Sequence, residues 1–181
     1  MKIMLTNVRL AFPTLFEAKT VNGEGKPAFS ASFLIDPADP QVKAINAAIE
    51  QVAKEKWGAK ADAVLKQLRA TDKVALHDGD LKSNYDGFAG NLYVSARSAV
   101  RPTVIDPARN PLTEQDGKPY AGCYVNVSID LYAQDNSFGK RINASLRGVQ
   151  FVRDGDAFGG GGSASADEFD VVEGAEADDL V

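Results

Sequence analysis

Aromatic and basic side chains alternate through the segment from Asn91 to Phe151. On a strand, residues two apart share a face. Tyr93, Arg97 and Arg101 therefore point one way, and Leu92, Val94, Ala96, Ser98 and Val100 the other. The run Cys123–Ala133 repeats the pattern more cleanly, with Cys123, Val125, Val127, Ile129 and Leu131 inward and Tyr124 and Tyr132 among the outward residues. Arg141 and Arg147 share the outer face of a following strand, opposite Ile142, Ala144 and Leu146. Flat rings beside cations suit one ligand chemistry. Rings stack on unpaired bases, at roughly 1–3 kcal/mol per base, while cations meet phosphates. The contact set expected on this ground is Tyr93, Arg97, Arg101, Tyr124, Tyr132, Arg141 and Arg147. Lys82, Tyr85 and Phe88 join it from a glycine-flanked loop, and Phe138 and Lys140 from the hairpin after Ala133. A structural reading stands beside this one: tyrosines suit strands anyway, and arginines keep a sheet soluble.

Catalytic chemistry has less to stand on. Asp78, Asp80 and Asp86 are the carboxylates a metal-dependent nuclease would use, but the chain has a single histidine, His77. The spacing His77-Asp78-Gly79-Asp80 reads as a turn. Cys123 heads a strand and faces inward, far in sequence from His77, which argues against a thiol nucleophile. Gly87, Gly90 and Gly159–Gly162 lack the strand–helix setting of a phosphate-cradling loop. No metal, cofactor or catalytic residue is expected. An adaptor whose tyrosine face binds protein is the other alternative.

These residues need elements to hold them. Residues 2–12 read as a strand with a bulge near Thr6-Asn7, ended by Phe12-Pro13. A second strand covers 28–35, with Phe29, Ala31, Phe33 and Ile35 on one face. Asp39 and Pro40 open a helix running to about Trp57, striped by Val42, Ile45, Ile49 and Val52. A shorter helix, about Ala61–Arg69, turns Val64, Leu65 and Leu68 inward, and the lysines of both helices form a solvated face. Residues 71–90 are polar and loop-like, and the third strand spans about Leu92–Ile105. Gln134–Gly139 is a hairpin loop, and Gly148 marks a bulge after which Val149 and Phe151 exchange faces. Five strands around one or two helices suit a mainly β fold, a five-stranded Greek-key barrel of the oligonucleotide-binding (OB) type. An open α+β sheet is the runner-up.

Charge divides the chain further. The 181 residues carry a net −5, yet all 20 Lys and Arg lie in residues 1–153 with 16 of the 25 acids. That body is +4, and residues 154–181, with the other 9 acids and no base, are −9. Two units follow: a domain over 1–153, and a Gly-rich hinge with an acidic tail over 154–181, expected to be disordered. Asp167, Glu168, Asp170, Glu173, Glu176, Asp178 and Asp179 are the tail's candidate regulatory acids. Its 27 residues after Asp154 would span roughly 28 Å as a flexible coil. A tethered polyanion of that reach can compete for a cationic groove. One cysteine fits a reducing cytoplasm, and no apolar run reaches the length of a membrane span.

Tyr120-Ala121-Gly122-Cys123-Tyr124-Val125, Gly139-Lys140-Arg141-Ile142 and Leu146-Arg147-Gly148-Val149-Gln150-Phe151, preceded by Arg101-Pro102 and Asp106, resemble the OB-fold single-stranded DNA-binding proteins of tailed phages. The resemblance covers about residues 2–153 and is most specific in 91–151. It implies work in phage DNA replication, recombination or repair, in the cytoplasm of an infected bacterium. It also implies that the acidic tail recruits replication or recombination proteins. Such tails commonly end in an aromatic residue, whereas this chain ends Asp178-Asp179-Leu180-Val181. Dimerisation is compatible with this reading.

Overall fold

A computed structural model describes residues 1–21, 23–158, 169–172 and 174. The clearest pairing joins β6 (Tyr124–Asn136) to β7 (Gly139–Arg153) as a hairpin with Ser137 and Phe138 at its tip. Val125, Val127, Ile129 and Leu131 are all fully buried, as their alternation requires. The pairing slips between Ser128–Gly148 and Ile129–Leu146, which leaves Arg147 unopposed. This bulge moves the buried set of β7 from Ile142, Ala144 and Leu146 to Val149 and Phe151.

β1 runs from Lys2 to Val21, well past the expected stop at Phe12-Pro13. Its register slips between Leu5 and Val8 against β6 and between Ala11 and Thr14 against β2 (Glu24–Ile35), with two further shifts against β2 toward Val21. Asn7 and Phe12 take positive φ at the first two, 52° and 48°. Proline is tolerated at such a bulge because no ladder N–H is required there. One bent strand thus serves two partners, β6 through its first half and β2 through its second.

The expected third strand is two: β4 (Leu92–Ser98) and β5 (Thr103–Ile105), broken ahead of Pro102. Val100, expected to face the core, lies in that break and is exposed. A short strand that sequence reading left as loop, β3 (Leu76–Asp78), pairs with β4. The ring closes in the order β1-β2-β4-β7-β6 and back to β1, through a parallel bridge between Arg97 of β4 and Ser145 of β7. The result is a mainly β, five-stranded closed barrel of OB type, with β3 and β5 added outside the ring.

Two helices fill the connection between β2 and β3. In α1 (Gln41–Trp57), Asp39 accepts the Gln41 N–H at 2.9 Å and Pro40 already has a helical backbone. Ile45, Ala48, Ile49, Val52 and Ala53 are buried. α2 (Ala61–Ala70) adds Ala61, Leu65 and Leu68 to the same core. Lys43, Lys54, Lys56, Lys60 and Lys66 are all exposed, as a solvated face should be. Trp57 donates to Asp135 at 2.9 Å and so ties α1 to the β6–β7 hairpin near its tip.

Ile129 sits at the centre of the packed face of β6. Ile129→Ala should lower unfolding free energy by about 2–5 kcal/mol. Its denaturant midpoint should fall at constant slope.

Candidate nucleic-acid interface

The interface is built on the outer face of the β2–β4 ladder. Three cross-strand pairs lie on it in sequence: Ser30 with Arg97, Ser32 with Ser95, and Leu34 with Tyr93. The two ends of this row differ. At the Leu34–Tyr93 end the segment 79–91 folds over the sheet and buries a second apolar cluster of Ala11, Leu34, Phe88 and Tyr93. The Gly79 N–H donates to the Asn91 carbonyl at 2.8 Å, and the Gly90 N–H donates to Asp80 Oδ1 at 2.8 Å. A side chain at Gly79 would collide with the Phe88 and Asn91 carbonyls, so the closure of this segment requires glycine there.

That lobe corrects two expectations. Tyr93 and Phe88 were expected to face a ligand, but they are only 3% and 1% exposed. Tyr93 does lie on the outward face; alternation assigned the side correctly. Alternation carries no information on what covers that side. Tyr93 stacks on His77 at 4.8 Å and meets Phe88 edge-on at 5.1 Å. Burial, then the nearby Asp72 and Asp78 carboxylates, push its phenol above the ordinary range.

At the open end a groove of about 660 Å³ crosses β2, β4 and the β6–β7 hairpin. Lys19, Lys82, Arg97 and Arg141 line it, with no carboxylate among its lining residues. Tyr132 and Phe12 supply exposed rings, and His77 lies at the wall with Nδ1 2.6 Å from Asp72. Lys82 Nζ lies 5.2 Å from the centre of the Tyr93 ring. The floor is small and polar, with the Ser32 and Ser95 hydroxyls 3.3 Å apart. A shallower extension past Arg97 and Tyr132 reaches Lys26 and Ser145 at the barrel's closing seam. Phe138 projects from the hairpin tip, 90% exposed, and Lys140 stands beside it, 3.9 Å from Asp135. In an OB barrel the face of the second and third strands, flanked by the first and last hairpins, is where oligomeric ligands lie. Here those elements are β2, β4, the β1–β2 hairpin with Lys19, and the β6–β7 hairpin with Gln134 and Arg141.

The expected contact set therefore separates. Lys82, Arg97, Tyr132 and Arg141 share the groove; Phe138 and Lys140 do not line it. Lys140 alternates with Arg141 to the opposite face of β7, beside the Asp135 that Trp57 of α1 bonds. Tyr85 lies next door, edge-on to Phe12 at 5.0 Å. Arg101 and Arg147 do not line the groove. Arg101 sits over Phe16, 5.9 Å from its ring centre, and Arg147 lies with Met4 and Thr103 beside the β7 bulge. They leave the set because the strand breaks before Arg101 and bulges at Arg147, so neither continues the face counted from Arg97 or Arg141.

Tyr124 lies elsewhere on the barrel, with Arg153 3.6 Å and Arg9 5.7 Å from its ring centre. Arg9 also covers Phe158 at 4.2 Å and donates to the Asp156 carbonyl at 2.8 Å. The Phe158 N–H donates to the Ala121 carbonyl at 2.9 Å. The packed chain thus continues five residues beyond Arg153. Gly122, at φ 105°, leaves room for this strap, since a side chain there would strike the Asp156 carbonyl. Asp170 is exposed. Asp167, Glu168, Glu173, Glu176, Asp178, Asp179 and the Gly159–Gly162 hinge lie outside the described residues.

The carboxylates considered for metal chemistry have local work. Asp78 accepts the Asp80 N–H at 2.9 Å, and Asp80 holds Gly90. Among the described residues no three His, Cys, Asp or Glu side chains converge as metal ligands.

Comparison with known proteins shows the family. The model of a family described as Enterobacter phage Enc34, ssDNA-binding protein, matches residues 1–181. The chain belongs to that family. The Enc34 single-stranded DNA-binding protein solved in complex with ssDNA superposes with a TM-score of 0.73 at 27% identity, covering 87% of this chain and 89% of that one. Putative protein p50 of Acyrthosiphon pisum secondary endosymbiont phage 1 is 50% identical over 100% of this chain and 99% of its own length. The bacteriophage T7 single-stranded DNA-binding protein gp2.5 shares the fold, with a TM-score of 0.56 at 17% identity, over 94% of this chain and 96% of its own.

Within the groove of this Enc34-family chain and its extension, Phe12, Lys19, Lys26 and His77 are lining residues outside the expected contact set. Phe12-Pro13 looked like a strand end, and Lys19 and Lys26 fell in or beside a supposed loop. The usable signal was the basic pair flanking the Asn22–Gly25 turn, where a hairpin of an OB barrel would present its cations.

The buried Tyr93 phenol has a measurable consequence. Its folded pKa is raised, so its stabilising contribution is complete below the ordinary value of 10 and is lost as pH rises through the folded value. Above pH 10 the unfolded chain ionises first, and stability falls. Tyr93→Phe should flatten that alkaline loss in denaturant titrations at pH 9 to 11. A variant as alkali-sensitive as the parent would contradict the assignment.

Proposed function

We propose that this chain binds single-stranded DNA without regard to base sequence, in the groove over β2, β4 and the β6–β7 hairpin. The observation that carries the reading is the groove's composition: four cations, exposed rings and no carboxylate among its described lining residues, with one carboxylate, Asp130, in its extension. Backbone phosphates bind along Lys19, Lys82, Arg97 and Arg141, and bases stack on Tyr132 and on Phe138 of the hairpin tip. The serine floor is shallow enough for the strand to pass over it. Duplex presents no free base face and fits less well. Membership of a phage single-stranded DNA-binding family supports the same reading. The work it serves is phage DNA replication, recombination or repair in the host cytoplasm, with no catalytic step.

The acidic tail fits as a regulator. Residues 154–158 leave the barrel along Arg9 and end at Phe158, which lines a cavity next to the groove. A −7 segment rooted there, residues 159–181, reaches the cations and competes with phosphates. Released from the groove, the same acids are available to replication or recombination proteins.

Fluorescence anisotropy with labelled oligonucleotides tests the site. Arg97→Ala and Arg141→Ala should each weaken single-strand binding, and each should reduce the slope of log affinity against log salt by about 0.7. Salt-insensitive binding by the parent protein would refute a phosphate-dominated groove. Deleting Gly159–Val181 should tighten binding and narrow the preference for single strands over duplex. Unchanged affinities for both forms would remove the competing role of the tail.

A further inference from the structure

Phe12 holds an unusual position. Its φ of 48° is one that bulky side chains rarely adopt, and its ring remains 51% exposed at the β1 bend. It lines the cationic groove on one side and a separate cavity of about 530 Å³ on the other. That volume falls in the range of small-molecule sites, about 300–1,000 Å³. Tyr85 meets Phe12 edge-on and is itself half exposed. Phe158, held under the Arg9 guanidinium, closes another wall. Phe88 joins this cavity to the buried cluster beneath and packs on Phe12 at 5.7 Å.

We infer that this cavity is a nucleobase subsite. One base of a bound single strand leaves the groove beside Lys82 and inserts against Phe12 and Tyr85. The inference rests on the single-strand reading above and deepens it. Three features favour a base as the occupant. The lining is mainly aromatic and apolar, and it contains no lysine or arginine. Asp86 belongs to it, which disfavours a phosphate. Asn84 offers both a donor and an acceptor, so any base edge can be met. Rings that only filled a core would be covered, as Phe88 is. A strained backbone that holds a bulky ring half in solvent, between a cationic channel and an apolar recess, fits presentation to a ligand.

The test uses the full chain and two oligonucleotides of equal length, oligothymidylate and an abasic strand with the same backbone. Phe12→Gly suits the left-handed turn and removes only the ring, so its melting temperature controls for folding. Phe12→Gly and Tyr85→Ala should each lose about 5- to 100-fold in affinity for oligothymidylate. Neither should change affinity for the abasic strand, and Phe12→Tyr should restore most of the loss. Equal losses on both strands would place the rings' effect on the fold or the backbone, and would overturn the subsite. So would parent-like binding by both variants while Arg97→Ala weakens it, an outcome that leaves the groove standing. A parent chain without affinity for oligothymidylate would instead bring down the single-strand reading itself.

Discussion

The binding surface depends on how the barrel closes. Arg97 and Ser145 bridge β4 to β7 in parallel, and this closure brings the hairpin carrying Tyr132 and Arg141 beside the ladder carrying Ser30 and Ser95. Without closure the two groups would lie at opposite margins of an open sheet. With it, cations separated by more than a hundred residues, Lys19 and Arg141, line one groove. Their mutual repulsion opposes closure. It is tolerable because solvent and salt screen exposed charges beyond roughly 8–10 Å. The apolar faces of β6 and β7 on the other side of the same strands supply the larger, favourable term. One set of strands thus holds its shape with one face and presents the cationic groove with the other.

The outer face is not uniform, and the lobe at 79–91 decides which part is available. By covering Leu34 and Tyr93 it turns half of the ladder into a small second core. It also builds the wall from which Lys82 and Tyr85 project. The Gly79–Asn91 and Asp80–Gly90 hydrogen bonds that close the lobe therefore shape the groove without lining it.

This division explains what could be read in advance. The strands β6 and β7, the bulge at Gly148 and both helices were legible because each buries one face against a single partner, so hydrophobic period translates directly into geometry. β1 was cut short because its period resets at Asn7 and again at Phe12, where bulges change the parity of every later residue. Arg101 and Arg147 were misplaced for the same reason, each lying just beyond an irregularity. Tyr93 was placed on the correct face, yet it is buried by a segment whose own sequence is polar and glycine-rich. Its two large apolar residues, Leu81 and Phe88, show no period, and only one of them is buried. Such closure rests on a backbone hydrogen bond, on Asp80 and Asn91 side chains bonded to backbone, and on one glycine contact, none of which sets a hydrophobic period.

Net charge would have excluded a polyanion as ligand, and the reason it does not is spatial. A ligand meets the local potential within about one Debye length, not the total. The barrel side of that potential is set by four cations without a carboxylate among them, while 9 of the chain's acids lie beyond residue 153. Two of those, Asp154 and Asp156, belong to the strap that packs back on the barrel, and Tyr120 donates to Asp154 at 2.7 Å. On Arg9 the strap rests through the Asp156 carbonyl and the Phe158 ring, not through a carboxylate. Its hold on Arg9 therefore depends weakly on salt, whereas phosphate contacts in the groove depend on it strongly. Raising salt would loosen the ligand and leave the root of the tail in place, so the two ends of this surface respond to one variable in different ways.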